Sequence, residues 1–446
     1  MEHIYVDFSK IKGSVKPMHS VNNGPAGDRV RGHSNFEEFK AACIPYVRNH
    51  DASACYNYGG EHIVDVHRIF KNFDADENDP ASYIFAPTDA YITDIINAGS
   101  RVFYRLGATI EHGFKYGTYP PKDFEKWARV CEHIIRHYNE GWADGFRYGI
   151  EYWEIWNEPE CVNPDGRSPC WQGTRDQFIE MFVTTVRHLK KCFPHLKIGG
   201  PAFCHERRDT WNKLLFDAIR SAGLTFDFFS FHGYNTDPNQ YREQAKRARN
   251  TLDEFGFTDT EVILNEWNYV KGWLNENWKY TLGVEKSQKG ASFIAASMIC
   301  AQDSPMDHFM YYDARPCEMN GMFDSDFLTP LKGYYPFVMF STLYEIGTET
   351  SAYSECPNIF VMSAMDERSG AVLITNYSDD DADSARDIRL SVSGLRDGPW
   401  KASYRLLDEK HDSELVHEEY ISCSRAELYL NIPLFGVVLI TLEKLN

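Results

Sequence analysis

The spacing of apolar residues divides the chain in two. From residue 15 to about 345, short apolar runs that end in polar residues alternate with longer stretches whose apolar residues recur three and four apart. The short runs lie at 19–23, 44–49 (IPYVRN), 101–106 (RVFYRL), 151–160 (EYWEIWNEPE), 197–200, 226–234 (FDFFSFHGY), 262–268 (VILNEWN) and 308–313 (HFMYYD). Aromatic and β-branched residues dominate them, which predicts buried strands. The helical stretches are 35–43, 88–97, 124–139, 175–192, 209–222, 243–255, 287–301 and 333–344. Strand followed by helix, eight times over, predicts a (β/α)8 TIM barrel.

Beyond Gly347 the period changes to two. Segments 360–364, 371–376, 388–392, 402–406, 426–431 and 436–442 alternate, separated by turn residues such as those at 379–383. This pattern predicts an accessory antiparallel β-sandwich. Residues 3–12 (HIYVDFSKIK) alternate in the same way ahead of the barrel and are expected to join it, so the sandwich is built from both chain ends. The expected division is a barrel of 15–345 and a sandwich of 1–14 with 346–446.

Charge and composition narrow the partners. Forty-six basic against 65 acidic residues leave a net −19, which argues against nucleic acid or an anionic membrane. No signal-peptide pattern opens the chain and no apolar run nears the roughly 18 to 20 residues of a membrane span, so the expected location is cytoplasmic. Eleven cysteines without a Cys-x-x-Cys read as reduced thiols, with a Cys161–Cys170 bridge left open. The acidic loop 72–80 (NFDADENDP) lacks the glycine and terminal acid of a calcium loop and reads as solvated.

Reactive groups of such a barrel sit at the carboxyl ends of its strands. Those ends carry Asn22 and Asn23; Arg48, His50 and Asp51; Asn157 and Glu158; His232 and Tyr234; Asn265 and Glu266; Tyr312 and Asp313. A lone strand-end glutamate is ordinarily a solvated or capping residue. Glu158 is set apart by Asn157, Pro159 and a second glutamate, Glu266, 108 residues on. That is a little over three barrel units of about 31 residues, as strands four and seven require. Nothing indicates phosphate handling, since no P-loop or GxGxxG follows a strand. Two carboxylates across a barrel mouth suit glycoside hydrolysis, retaining at about 5 to 5.5 Å apart and inverting at about 6.5 to 9.5 Å. Trp153 and Trp156 are expected to pack, while Trp171, Trp273 and Trp278, placed in loops, are candidate sugar platforms.

With Asn157-Glu158-Pro159 on strand four, His232-x-Tyr234 on strand six and Glu266 on strand seven, the chain resembles the retaining glycosidases of the (β/α)8 barrel superfamily. Within it, WEIWNEPE, NEWN and the sandwich holding both chain ends resemble glycoside hydrolase family 39 over nearly the whole length. The resemblance implies a retaining, exo-acting hydrolase of short plant-type oligosaccharides, β-xylosidase-like or arabinoside-releasing, with α-L-iduronidase also among the family's activities. It implies Glu158 as acid/base and Glu266 as nucleophile, with no metal or organic cofactor. Asn157 would bond the sugar 2-hydroxyl, His232, Tyr234 and Arg48 would hold Glu266 ionised, and His50 would face the sugar. Arg48 paired with Asp51 is the structural alternative. The superfamily's tryptophan at the end of strand eight is missing, and Tyr312 stands as its substitute. Asn22, Asn23 and the loops after strands two and four are expected to set specificity. Two rivals remain: a carbohydrate-binding pseudoenzyme of the same fold, and a metal-dependent isomerase, for which strands five and eight supply too few ligands. The partner is an oligosaccharide or glycoside, and self-association is left open.

Overall fold

A computed structural model of the chain describes residues 1–28, 32–50, 62–110, 117–163, 165–207 and 210–445. Eight strands close into a barrel with every neighbouring pair parallel. In order they are Ser20–Asn22, Tyr46–Asn49, Arg101–Leu106, Tyr152–Ile155, Lys197–Phe203, Phe228–Asn235, Glu261–Tyr269 and His308–Tyr311. Each falls where an apolar run was expected.

Helices Phe36–Ala41, Ala86–Asn97, Phe124–Asn139, Arg175–Cys192, Thr210–Ser221, Asn239–Glu254, Gln288–Gln302 and Tyr335–Ile346 surround the barrel. Two of them show why they start where they do. Asp123 accepts from the Lys126 N–H at 3.0 Å, and Thr174 with Gln177 forms a reciprocal capping box, so the exposed N–H groups of both first turns are occupied. A further helix, Asn275–Glu285, was not predicted. Its polar sequence buries only Thr281, Val284 and Glu285, too few to leave a helical apolar stripe.

Period-two alternation along the strands stacks the barrel interior in layers. The floor is apolar, with Tyr46, Phe103, Tyr152, Phe228, Ile263 and Met310 packed together. Two residues further along their strands stand Arg48, Arg105, Glu154, Ser230 and Asn265, all buried and polar. The chemistry of the barrel therefore begins one layer above a dry floor, where water cannot screen it.

The second unit is a nine-stranded sheet. Strand Glu2–Ser14 lies between Thr348–Ser354 and Arg386–Ser393, antiparallel to the first and parallel to the second. The rest of the pairing is antiparallel, as expected. Trp400 and Tyr404 near one end of the strand order share a core with Leu390 and Leu428 near the other, so the sheet folds over into two layers. Val372, Ile374, Val438 and Ile440 face that core, whereas Ala371, Leu373, Val437 and Leu439 face the barrel helices. Strands Thr348–Ser354 and Asp412–Ile421 were not foreseen, and the second is mostly exposed at the sheet edge, where alternation has no core to report. No helix among the described residues is long and apolar enough to cross a membrane.

Candidate active site

Strand four leaves the barrel through a kinked turn. Trp156 and Glu158 both adopt left-handed backbone angles, φ 75° and 44°, on either side of Asn157. Such residues cost about 1 to 3 kcal/mol each and persist only where the surroundings hold them. Here the Trp156 N–H donates to Leu106 O at 2.6 Å, its indole donates to Cys170 O at 3.0 Å, and the Glu158 N–H donates to Ala202 O at 2.9 Å. Gly107 makes room for this turn, since a Cβ there would stand 2.9 Å from Trp156 Cα. Strand seven carries a register shift between Leu264 and Glu266 against strand six. That irregularity lets consecutive residues, Asn265 and Glu266, both reach interior partners, which a regular strand forbids.

Arg48, on strand two and fully buried, joins these pieces. Its Nε donates to Glu154 Oε2 at 2.7 Å, its Nη1 to Glu266 Oε1 at 2.7 Å and Asn22 Oδ1 at 3.0 Å, and its Nη2 to Asn157 Oδ1 at 2.7 Å. Burial opposes the Arg48 charge, but the carboxylates of Glu154 and Glu266 outweigh it and hold its pKa above the ordinary value. Glu154 also accepts from Ser230 Oγ and Asn265 Nδ2, so this buried carboxylate has three donors.

Glu266 takes a second set of donors on its other oxygen. Tyr234 OH donates to Oε2 at 2.9 Å, and His232 Nδ1 lies 3.3 Å from the same atom. His50 Nε2 lies 3.3 Å from Oε1. Burial, then the positive charges of Arg48 and Arg105, keeps the His50 imidazole well below its ordinary range. Burial drives His232 down to about 4, with Glu266 pulling it up and Arg48 reinforcing the fall. Burial and then the charge of Glu266 push the Tyr234 phenol well above its ordinary value, so it stays protonated and donates.

Glu158 faces Glu266 across His232. Its Oε1 is 2.7 Å from His232 Nδ1, and Cys170 Sγ stands 4.0 Å from its Oε2. One carboxylate oxygen from each glutamate and the His232 nitrogen all lie within 4.8 Å of one another.

The structure thus gathers Arg48, His50, Asn157, Glu158, His232, Tyr234 and Glu266 at one end of the barrel. Tyr312 completes the ring, its side chain edge-on to those of Tyr234 and His50 at centroid distances of 6.5 and 6.4 Å. Several expectations need correction. The closest carboxylate to His232 is Glu158, not Glu266, because strand six places its ring between the two. His50, expected to face sugar, has its Nε2 against Glu266. Asn22 and Asn23 are buried and committed, to Asn265 O and Arg48 on one side and to Asp313 Oδ2 on the other. Trp171 is core, packed on Trp156 and Phe178, and Trp278 lies on helix Asn275–Glu285. Cys161 and Cys170 are not bridged. Asp51 and the segment that follows it, 52–61, lie outside the described residues.

One contributor, Glu154, was missed in the sequence, and one of the candidate platforms, Trp273, lies at the site. Glu154 showed itself as a charge in the middle of an apolar strand, a position that demands a buried partner. Trp273 is 53% exposed, edge-on to Tyr234 at 4.9 Å and stacked on Trp278 at 5.5 Å, which braces it at the mouth of the site.

Fold and site together define a (β/α)8 barrel with a facing pair of glutamates at the ends of strands four and seven. Comparison with known proteins agrees: the model of glycosyl hydrolases family 39 matches residues 49–306, and the chain belongs to that family. A β-xylosidase from Caldicellulosiruptor saccharolyticus is 28% identical over 214 residues, covering 42% of this chain and 41% of that protein. The match thus spans about two fifths of the relative's length. Among solved structures, a glucosidase from Croceicoccus marinus superposes over 100% of both chains with a TM-score of 0.81 at 22% identity. A monomeric β-xylosidase from Caulobacter crescentus CB15 does so over 100% of both with a TM-score of 0.74 at 16% identity.

Proposed function

We propose that the protein is a retaining O-glycosidase that releases sugars from the ends of short plant-type oligosaccharides, with Glu266 as nucleophile and Glu158 as acid/base. The observation that carries this reading is the approach of the two carboxylates, with oxygens within 4.8 Å of one another. Retaining enzymes hold the pair about 5 to 5.5 Å apart, whereas inverting ones need about 6.5 to 9.5 Å to admit a water.

The surroundings divide the roles. Glu266 receives a guanidinium and a phenol, donors that favour a carboxylate in a dry site and aim it at the anomeric carbon. Glu158 meets a neutral imidazole and a thiol, partners that suit a carboxyl that gives up and regains a proton. In the first step Glu266 displaces the aglycone, whose oxygen takes the Glu158 proton. Water, deprotonated by Glu158, then attacks the glycosyl–Glu266 ester and frees the nucleophile. Arg48 occupies the Asn157 carbonyl oxygen and so turns the amide NH2 toward the bound sugar's 2-hydroxyl. Trp273 and Tyr312 offer aromatic faces on either side of Tyr234. We read the barrel as 15–345 and the sandwich as 1–14 with 346–446. The β-xylosidase relative supports a pentose substrate.

Glu158, His232 and Glu266 could also ligate a divalent cation. The Arg48 guanidinium, 2.7 Å from Glu266, opposes it by occupying the carboxylate with a fixed positive charge.

The test is a panel of aryl xylosides, glucosides, arabinosides and iduronides. Glu266→Gln is expected to abolish turnover. Glu158→Ala should still release a good leaving group in a burst, with azide then accelerating the slow second step. Parental rates in Glu266→Gln, or an inverted product anomer, would remove the assignment. Inactivity of the parent on the whole panel would favour the pseudoenzyme.

A further inference from the structure

Three cysteines from two loops converge on Glu158. Cys161 follows it in the strand-four loop, Cys170 closes that loop, and Cys204 follows strand five. A Glu158 oxygen and the sulfurs of Cys161 and Cys204 all lie within 4.8 Å of one another, and Cys170 Sγ is 4.0 Å from Glu158 Oε2. Cys161 is hydrogen-bonded to both other thiols. The backbone fixes the arrangement: the Cys161 N–H donates to Glu158 O at 3.1 Å, and the Cys204 N–H to Glu160 Oε1 at 2.6 Å. Cys170 is buried, while Cys161 and Cys204 are partly exposed.

We infer that Cys161, Cys170, Cys204 and Glu158 form a binding site for a soft divalent cation, zinc or cadmium, whose occupancy switches the enzyme off. Thiolate ligands select such ions over magnesium or calcium. Tetrahedral zinc with bonds of about 2.3 Å places its ligand atoms about 3.8 Å apart, close to the spacing of Glu158, Cys161 and Cys204, which lie within 4.8 Å of one another, with Cys170 next to them at 4.0 Å from Glu158. No Cys-x-x-Cys announces the site because its ligands come from two loops of a closed barrel. The inhibitory effect rests on Glu158 being the acid/base, because a coordinated carboxylate cannot carry a proton.

Cadmium titration tests both parts separately. One equivalent of Cd2+ should produce a sulfur-to-cadmium charge-transfer band, and activity should fall in parallel to background. Cys161→Ser/Cys204→Ser should lose the band and stay active in cadmium. A band unchanged in the double variant, or none at saturating cadmium, overturns the site. A band that requires both cysteines while hydrolysis continues keeps the thiol site but overturns Glu158 as its ligand and the inhibition with it, while azide rescue of Glu158→Ala reads the acid/base role separately. Should the variant fail to fold, alkylation of the parent decides. One equivalent of Cd2+ should protect Cys161 and Cys204 from iodoacetamide, and unprotected thiols refute the proposal.

Discussion

Glu285, the last residue of helix Asn275–Glu285, is 1% exposed, and neither carboxylate oxygen has a hydrogen-bond partner among the described residues. Burial raises its pKa to about 9, against a smaller lowering by Lys286. The unfolded chain releases that proton near pH 4.5, so between there and about pH 9 the folded protein binds one proton more than the unfolded. Stability then falls as pH rises, by about 1.4 kcal/mol per unit once the unfolded carboxyl is ionised. From about pH 5 to about pH 8 the loss from this one group is about 4 kcal/mol. Glu285→Gln keeps the shape and an uncharged polar end, so its own cost does not vary with pH. An unfolding entropy of about 2.1 cal/mol/K per residue, over 446 residues, converts 4 kcal/mol into about 4 °C. Melting curves of parent and variant across that range should therefore diverge, the variant gaining about 4 °C on the parent between the acid and alkaline ends. If the two midpoints move in parallel, the buried neutral carboxyl is refuted.

Arg48→Met leaves Glu154 and Glu266 buried without their cation, and should cost about 3 to 5 kcal/mol in unfolding free energy as well as turnover. Arg48→Lys should not restore kcat, since one ammonium cannot span acceptors on four side chains; parental kcat in the lysine variant would contradict the bridging role. Trp273→Ala removes an exposed aromatic face worth about 0.5 to 1.5 kcal/mol and should raise KM twofold to tenfold, more than it lowers kcat. A kcat effect alone would take Trp273 off the substrate path. Chelator treatment should leave or increase the rate, and a rate abolished by EDTA and restored by metal would favour a metal-dependent reaction.

The barrel was legible because its strands are buried on both faces and read as apolar runs ending in polar groups. Glu158 and Glu266 stood out for the same reason, each a charge where an apolar strand stops. Glu154 was harder to see because nothing in the spacing of Tyr152, Glu154 and Trp156 says which neighbouring strand supplies its cation. The shift at Leu264–Glu266 broke the alternation on which side-chain direction is argued, so Asn265 looked like a second mouth residue when its amide points down to Glu154. Asn22 and Asn23 misled in the opposite way: polar strand ends usually meet solvent or ligand, yet both are occupied by the protein itself. The cysteine cluster was invisible to any rule based on distance along the chain.

The pairing of strand Glu2–Ser14 has a consequence for synthesis. Both of its partners, Thr348–Ser354 and Arg386–Ser393, are translated about 330 residues or more after it. At about 5 to 20 residues per second that is a wait of roughly 15 to 70 s. Until those partners are made, Ile4, Val6 and Phe8, which end in the sandwich core, belong to a strand without its native neighbours. The sandwich sheet therefore cannot close until the sequence of the barrel has been made. Its yield depends on how fast the barrel folds as well as on its own stability. A permuted chain carrying this segment after residue 446 removes the wait, and its soluble yield against the parent's measures what the delay costs.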